Sequence, residues 1–143
     1  MWHELIDDIR KIERKYGDEL NSPASDQDIE KLEVAAQKKF NTNIPNRYKE
    51  LLRNVNGIDF NGLVIYGAGI ENSYEFFNEN EIIHDNNHNK RYLFFADSDL
   101  SWFCLDLISE EFLELDKQSG TEIGKYQSFD EMIVNALKIA LDV

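Results

Sequence analysis

Histidines, carboxylates, spaced glycines and one cysteine are the residues of this chain that could carry chemistry, and each set fails on its spacing. His84 and His88 lie four residues apart with Asp85 between them. On a helix that spacing puts two rings on one face, as in a zinc pair. The stretch Asn78 to Lys90 is polar and Asn-rich, however, and reads as a surface loop. It holds no H-E-x-x-H arrangement and no nearby cysteine. Asp97-Ser98-Asp99-Leu100-Ser101 opens like a calcium loop, with oxygen side chains at positions one, three and five. Position six is Trp102 where glycine is needed, and position twelve is Ile108 where glutamate is needed, so a tight turn is the better reading. Gly62 and Gly67 have the interval of half a phosphate loop, but no Gly-Lys-Ser/Thr follows. Gly67-x-Gly69 lacks the third glycine that opens a dinucleotide-binding helix. Cys104 sits in an apolar run without a neighbouring His or Lys, which reads as packing rather than a nucleophile. No Ser-His-Asp set emerges from spacing, and a chain with 28 acids produces carboxylate pairs by chance. No catalytic residue, metal or cofactor is expected, and the chain reads as a binding protein rather than an enzyme.

Charge is the stronger signal. The 143 residues carry a net charge of −13, from 28 acidic and 15 basic side chains. Residues 21–70 balance at six and six, whereas residues 71–143 hold sixteen acids against five bases. Such a surface repels nucleic acid, whose binding depends on Lys and Arg neutralising phosphates. It favours a basic partner through steering and complementary potential. Glu4, Asp7 and Asp8 interrupt the apolar run an export signal would need, and no stretch approaches the roughly 20 apolar residues of a membrane span. A cytosolic protein with no membrane partner is the expectation, and the single cysteine, which rules out an internal disulfide, fits it.

These residues need a scaffold, and the hydrophobic periodicity describes one. Residues 2–16 place Trp2, Leu5, Ile6, Ile9, Ile12 and Tyr16 on one helical face, with Gly17 as the stop. Ser25 and Asp28 approximate a capping box for a second helix with a stripe of Ile29, Leu32, Ala36 and Phe40. A third runs from Pro45, suited to the first helical position, through Tyr48, Leu51, Leu52 and Val55 to Asn56-Gly57. The period then changes from 3.6 to 2. Ile58-Asp59-Phe60 and Leu63-Val64-Ile65-Tyr66 flank Asn61-Gly62, a short-hairpin signal. Strands are expected at 92–96, 102–107 and 111–115, with an edge strand from Thr121 to Tyr126. Ser128 and Glu131 cap a closing helix lined by Phe129, Met132, Ile133, Ala136, Leu137, Ala140 and Leu141. Helices, then strands, then a helix define one α+β domain over 1–143, with helices on one side of an antiparallel sheet of four to six strands. Alternate strand residues face opposite sides. If Phe103, Leu105 and Leu107 face the helices, Trp102, Cys104 and Asp106 face away, and Trp102 becomes an interface anchor. The opposite register makes it core, and the sequence leaves both open.

The stretch from Ile44-Pro45 through Tyr48 and Leu52 to Asn56-Gly57, followed by a β-meander, resembles the SUKH superfamily signature. The opening helix Ala24–Glu33, the strands Tyr92–Asp97 and Trp102–Leu107, and the closing Ser128-Phe129 helix resemble the family's other elements in order and spacing, over roughly residues 20–141. The resemblance implies an immunity protein that neutralises a cognate bacterial toxin, often a nuclease. The alternatives are a regulatory scaffold of the cell-wall-regulator type and, from another class, a small carboxylate-dependent hydrolase. The charge pattern supplies the candidate contacts: Asp97, Asp99, Trp102, Asp106, Glu110, Glu111 and Glu114, with Tyr66 and Glu71 at the corner. The expected partner is a basic toxin domain, and the chain is expected to be a monomer or weak homodimer.

Overall fold

The three apolar stripes of the N-terminal third each form a helix. In the computed structural model, which describes residues 1–69, 73–87 and 90–143, these are α1 (Trp2–Lys15), α2 (Asp26–Phe40) and α3 (Asn46–Asn54). They bury Trp2, Ile6 and Ile9, then Ile29, Leu32 and Ala36, then Tyr48, Leu51 and Leu52. The Ser25 hydroxyl accepts the Asp28 N–H at 3.1 Å, as the capping pattern predicts. Pro45 stands one residue earlier than expected, at the cap with φ −56° and ψ 137°, and its carbonyl takes the first helical bond from Lys49.

Asn56 and Gly57 join this helical layer to the sheet. The Asn56 amide bonds both the N–H and the C=O of Ala68, at 2.7 and 2.8 Å, as a paired strand would. Gly57 has φ +84°, and a Cβ there would meet a Tyr74 ring carbon at 2.8 Å and the Ile65 carbonyl at 2.9 Å. No other residue type fits that approach.

The strands β1 (Ile58–Phe60), β2 (Leu63–Ile65), β3 (Tyr92–Asp97), β4 (Ser101–Asp106), β5 (Phe112–Asp116) and β6 (Glu122–Tyr126) form one antiparallel sheet in sequence order. Asn61 and Gly62 both have positive φ, as a two-residue hairpin turn requires. The helix α4 (Phe76–Asn87) is inserted between β2 and β3, and α5 (Phe129–Leu141) closes the chain. Among the described residues this makes five helices and six strands. No helix among them is long and apolar enough to cross a membrane.

The polar stretch after residue 76 departs from expectation: it is the helix α4, not a loop. Its polar residues are turned inward for a reason. β2 pairs with β3 only as far as Val64–Asp97 and Ile65–Ala96, which leaves the other half of β3 with an open edge. The Asn80 side chain accepts the Phe94 N–H at 2.6 Å and donates to the Phe94 carbonyl at 2.8 Å. His84, one turn on, donates Nε2–H to the Tyr92 carbonyl at 2.7 Å. Two side chains on one helix face thus stand in for the missing strand and cover an edge that otherwise invites pairing.

Rings fill the space between sheet and helices. Phe95, an extra residue where β3 bulges against β4, lies 5.0 Å from the Tyr48 ring and 5.4 Å from Phe129. The Tyr48 hydroxyl donates to the Tyr66 carbonyl at 2.5 Å, satisfying the one polar atom it buries. α1 packs on α5, where Trp2 Nε1–H donates to Asp130 at 3.0 Å. Arg47 from α3 grips the same carboxylate, and its guanidinium lies over the Trp2 ring.

Candidate partner-binding surface

Strand register decides which residues around Trp102 share a face. Phe112 and Phe95 touch Phe129 of α5, and Phe112 pairs with Leu105, so Leu105, Phe103 and Ser101 lie on the helix side. Trp102, Cys104 and Asp106 therefore lie on the face turned away from α5. Trp102 is half-buried there, with its ring 5.5 Å from Phe94. Beneath it Phe94, Cys104, Leu113 and Leu115 are buried. Burial raises the Cys104 thiol pKa well above the ordinary range, with the Asp106 charge adding to it, which suits a packed thiol and not a nucleophile.

Ion pairs surround this apolar centre. Asp97 accepts from Lys117 at 3.1 Å and from the Tyr66 hydroxyl at 2.5 Å. Asp106 takes a two-pronged grip from Arg91, at 2.7 to 3.0 Å, and also the backbone N–H groups of Ile108 and Ser109. The Arg91 hydrogen bonds bring its pKa down to about 2. Lys125 serves Glu111 at 3.0 Å and Glu122 at 3.9 Å, and its hydrogen bond holds the Glu111 carboxyl below its usual range. Four carboxylates thus meet three cations along the face that carries Trp102, and the face is close to neutral. The acidic excess of the C-terminal half lies elsewhere.

The expected contact residues do not form one patch. Tyr66 and Asp106 are 0% and 2% exposed, so neither presents a surface. Tyr66 is a core ring whose hydroxyl pKa is pushed far up, by burial first and then by Asp97. Asp106 anchors the turn after β4. Glu114, which pairs with Phe103, lies on the helix side, where it accepts from Ser101 Oγ at 2.6 Å and Tyr126 OH at 2.8 Å. Asp99 and Glu110 are exposed in the turns before and after β4, roughly 20 Å apart at the ordinary strand rise. Asp97, Trp102 and Glu111 share one sheet face, Asp97 beside Trp102 and Glu111 toward the other end of β4, opposite Asp106. Glu71 lies outside the described residues, as does His88 of the considered metal pair. His84 spends its Nε2–H on a backbone carbonyl, and no group of three or more His, Cys, Asp or Glu side chains able to hold a metal occurs among the described residues.

Sequence reasoning missed the polar helix face of Asn80 and His84. It also missed Glu79, whose pKa is raised by burial and then by the Asp97 carboxylate nearby. The signal available for α4 was the interval Phe76–Asn80–Ile83–His84, helical once the two polar members are counted as buried.

An open meander of six strands with helices on one side, entered through a Pro-Asn-Gly-bounded helix, defines a SUKH-type α+β domain. The model of the SMI1 / KNR4 family (SUKH-1) matches residues 23–135, and the chain belongs to that family. No curated protein matches it. Membership is compatible with an immunity role, and domains of this family generally serve immunity or regulation rather than catalysis.

Proposed function

We propose that this protein is an immunity protein that binds a cognate bacterial toxin, a basic nuclease domain, and blocks it by covering its active groove. Family membership supports a protein partner. The observation that carries the reading to a surface is Trp102: a half-buried tryptophan on the sheet face away from α5, ringed by paired charges. That arrangement resembles an interface centre, where an aromatic anchor is shielded by a polar rim. Steering and anchoring are separate jobs here. The net charge of −13 acts at long range and raises the encounter rate with a cationic partner. The near-neutral face then lets Trp102 be desolvated without stranding an unpaired charge. The contact set is Trp102, Asp97 and Glu111, with Asp99 and Glu110 contributing to the field.

Binding kinetics with the product of the neighbouring gene, tested as the candidate toxin, decide this. A one-to-one complex is expected. Trp102→Ala should raise the dissociation rate and cost about 2 kcal/mol or more. Glu110→Lys with Glu111→Lys should slow association and flatten its salt dependence. Affinity indifferent to both salt and Trp102 would reject this surface, and no binding at all would reject the immunity reading.

A further inference from the structure

A second surface lies on the helix side of the sheet. A groove of about 300 Å³ runs between the β1–β2 turn, the β3–β4 turn and the last turns of α5. Leu63, Phe103, Ala136 and Ala140 line it and are buried. At its rim stand Leu100 and Ile139, which are 74% and 63% exposed. Two large aliphatic side chains flanking one apolar groove are unlike the scattered apolar residues of an ordinary surface.

The groove is held in shape. Asn61 donates to the Ala140 carbonyl at 3.0 Å, tying the first hairpin to α5. The Lys117 N–H takes the Leu100 carbonyl at 2.9 Å, fixing the second turn from β5. Gly62 lets the Asp99 carboxylate sit close, because a Cβ there would lie 3.2 Å from its Oδ2.

The charged groups that line it, Asp99 and Glu114, have one sign. Asp99 is exposed at the mouth, and no ion pair is seen for it among the described residues. Glu114 lines the wall with both oxygens turned to hydroxyl donors. α5 ends here, with Asp142 at its C-terminal cap, so the negative end of the helix dipole adds to the field. The Lys117 ammonium is held by Asp97. Lys138 stands on the same turn of α5 but does not line the groove.

We infer that this groove docks a basic polypeptide segment that sets an aliphatic or aromatic side chain on the Leu63–Phe103 floor and a Lys or Arg against Asp99. A second copy of this chain is a poor occupant, since it would bring the same negative field to a negative mouth. Nucleic acid is excluded for the same reason. The site is separate from the Trp102 face and does not depend on what occupies that face.

The test is a heteronuclear NMR titration of the full chain with three synthetic peptides: alternating Lys and Leu, alternating Lys and Ala, and alternating Glu and Leu. The Lys–Leu peptide should shift the amides of Leu63, Asp99, Leu100 and Ile139 saturably. Its affinity should exceed that of the other two by about tenfold or more. Leu100→Ser with Ile139→Ser removes two exposed side chains, so the fold should persist, as an otherwise unchanged spectrum would show. Affinity should then fall about tenfold. Asp99→Asn should weaken the salt dependence, and Trp102→Ala should change nothing. Shifts mapping to the Trp102 face, equal binding of the Glu–Leu peptide, binding indifferent to the double substitution, or no saturable shift at millimolar peptide each overturn the inference. So does a homodimer that the double substitution dissolves. Because no toxin is used, failure here leaves the immunity reading standing, and failure of the toxin measurement leaves this one.

Discussion

Replacing Asn80 with alanine should be among the most damaging single changes in the protein, although the residue is polar and forms part of neither proposed surface. Its amide makes three bonds: to the Phe94 N–H at 2.6 Å, the Phe94 carbonyl at 2.8 Å and the Phe76 carbonyl at 2.8 Å. The Phe76 carbonyl already lies within α4, whereas the two groups of Phe94 lie where β2 has ended. Asn80 is fully buried, so water cannot replace it without local opening. A buried backbone group left unpaired costs about 1–3 kcal/mol, so two give about 2–6 kcal/mol. Against a total of about 5–15 kcal/mol this is a large fraction. With a urea slope of about 2 kcal/mol/M, the unfolding midpoint should drop by about 1–3 M. Urea titration followed by tryptophan fluorescence reads the loss, and amide exchange at Phe94 reads its location. Asn80→Asp is the control. It keeps the acceptor for the Phe94 N–H but sets a carboxylate against the Phe94 carbonyl, so it should be no milder at neutral pH. Its penalty should shrink on acidification, as the protonated acid regains a donor. A loss below about 0.5 kcal/mol for Asn80→Ala, in the range of neutral surface changes, would refute the strand-substitute account.

Other outcomes follow from the packing and the charges. Leu52→Ala, at a fully buried position of α3, should cost about 2–5 kcal/mol in the same unfolding assay. Asp106 has its pKa depressed to about 2 by the Arg91 hydrogen bonds. The folded form therefore holds the charged state more tightly than the unfolded form does. That stability is present above the unfolded pKa of about 4 and disappears as pH falls toward 2. The stability gap between the natural chain and Asp106→Asn should accordingly close on acid titration from pH 5 to pH 2. Cys104, buried and with its thiol pKa raised, should react slowly with an aromatic disulfide reagent in the native state and rapidly in urea, a difference absorbance kinetics can measure.

Much of the scaffold was legible in the sequence because its signals are local. Ser25 and Ser128 announce their helices through bonds made three residues away. Asn61-Gly62 is readable because only a few residue types accept two positive φ values in succession. α4 was hidden because periodicity methods count polar residues as solvent-facing, and Asn80 and His84 face a strand edge instead. Nothing within α4 reveals that β2 will stop short. The candidate surface was harder for a similar reason. Side-chain parity along β4 was readable, but whether Glu114 joins Trp102 depends on the register of β5 against β4. Leu115, not Glu114, pairs with Trp102, and a one-residue difference moves a carboxylate to the opposite face. The acidic excess was real as a sum, yet Arg91, Lys117 and Lys125, three of the five bases after residue 70, are placed where they neutralise the sheet face.

The bond between Trp2 and Asp130 spans 128 residues and has a temporal consequence. A meander whose strands pair in sequence order can assemble as it leaves the ribosome, each strand docking on the one before. α1 cannot follow that order, because α5, the helix it packs on, is made after all six strands. At about 5–20 residues per second, α1 waits on the order of 10 s with Trp2, Ile6 and Ile9 unshielded. Until then the domain is a bundle of α2, α3 and sheet, and it completes itself only when α5 draws α1 in. Its window of vulnerability to proteases and to wrong partners is set by the synthesis of residues 128–141.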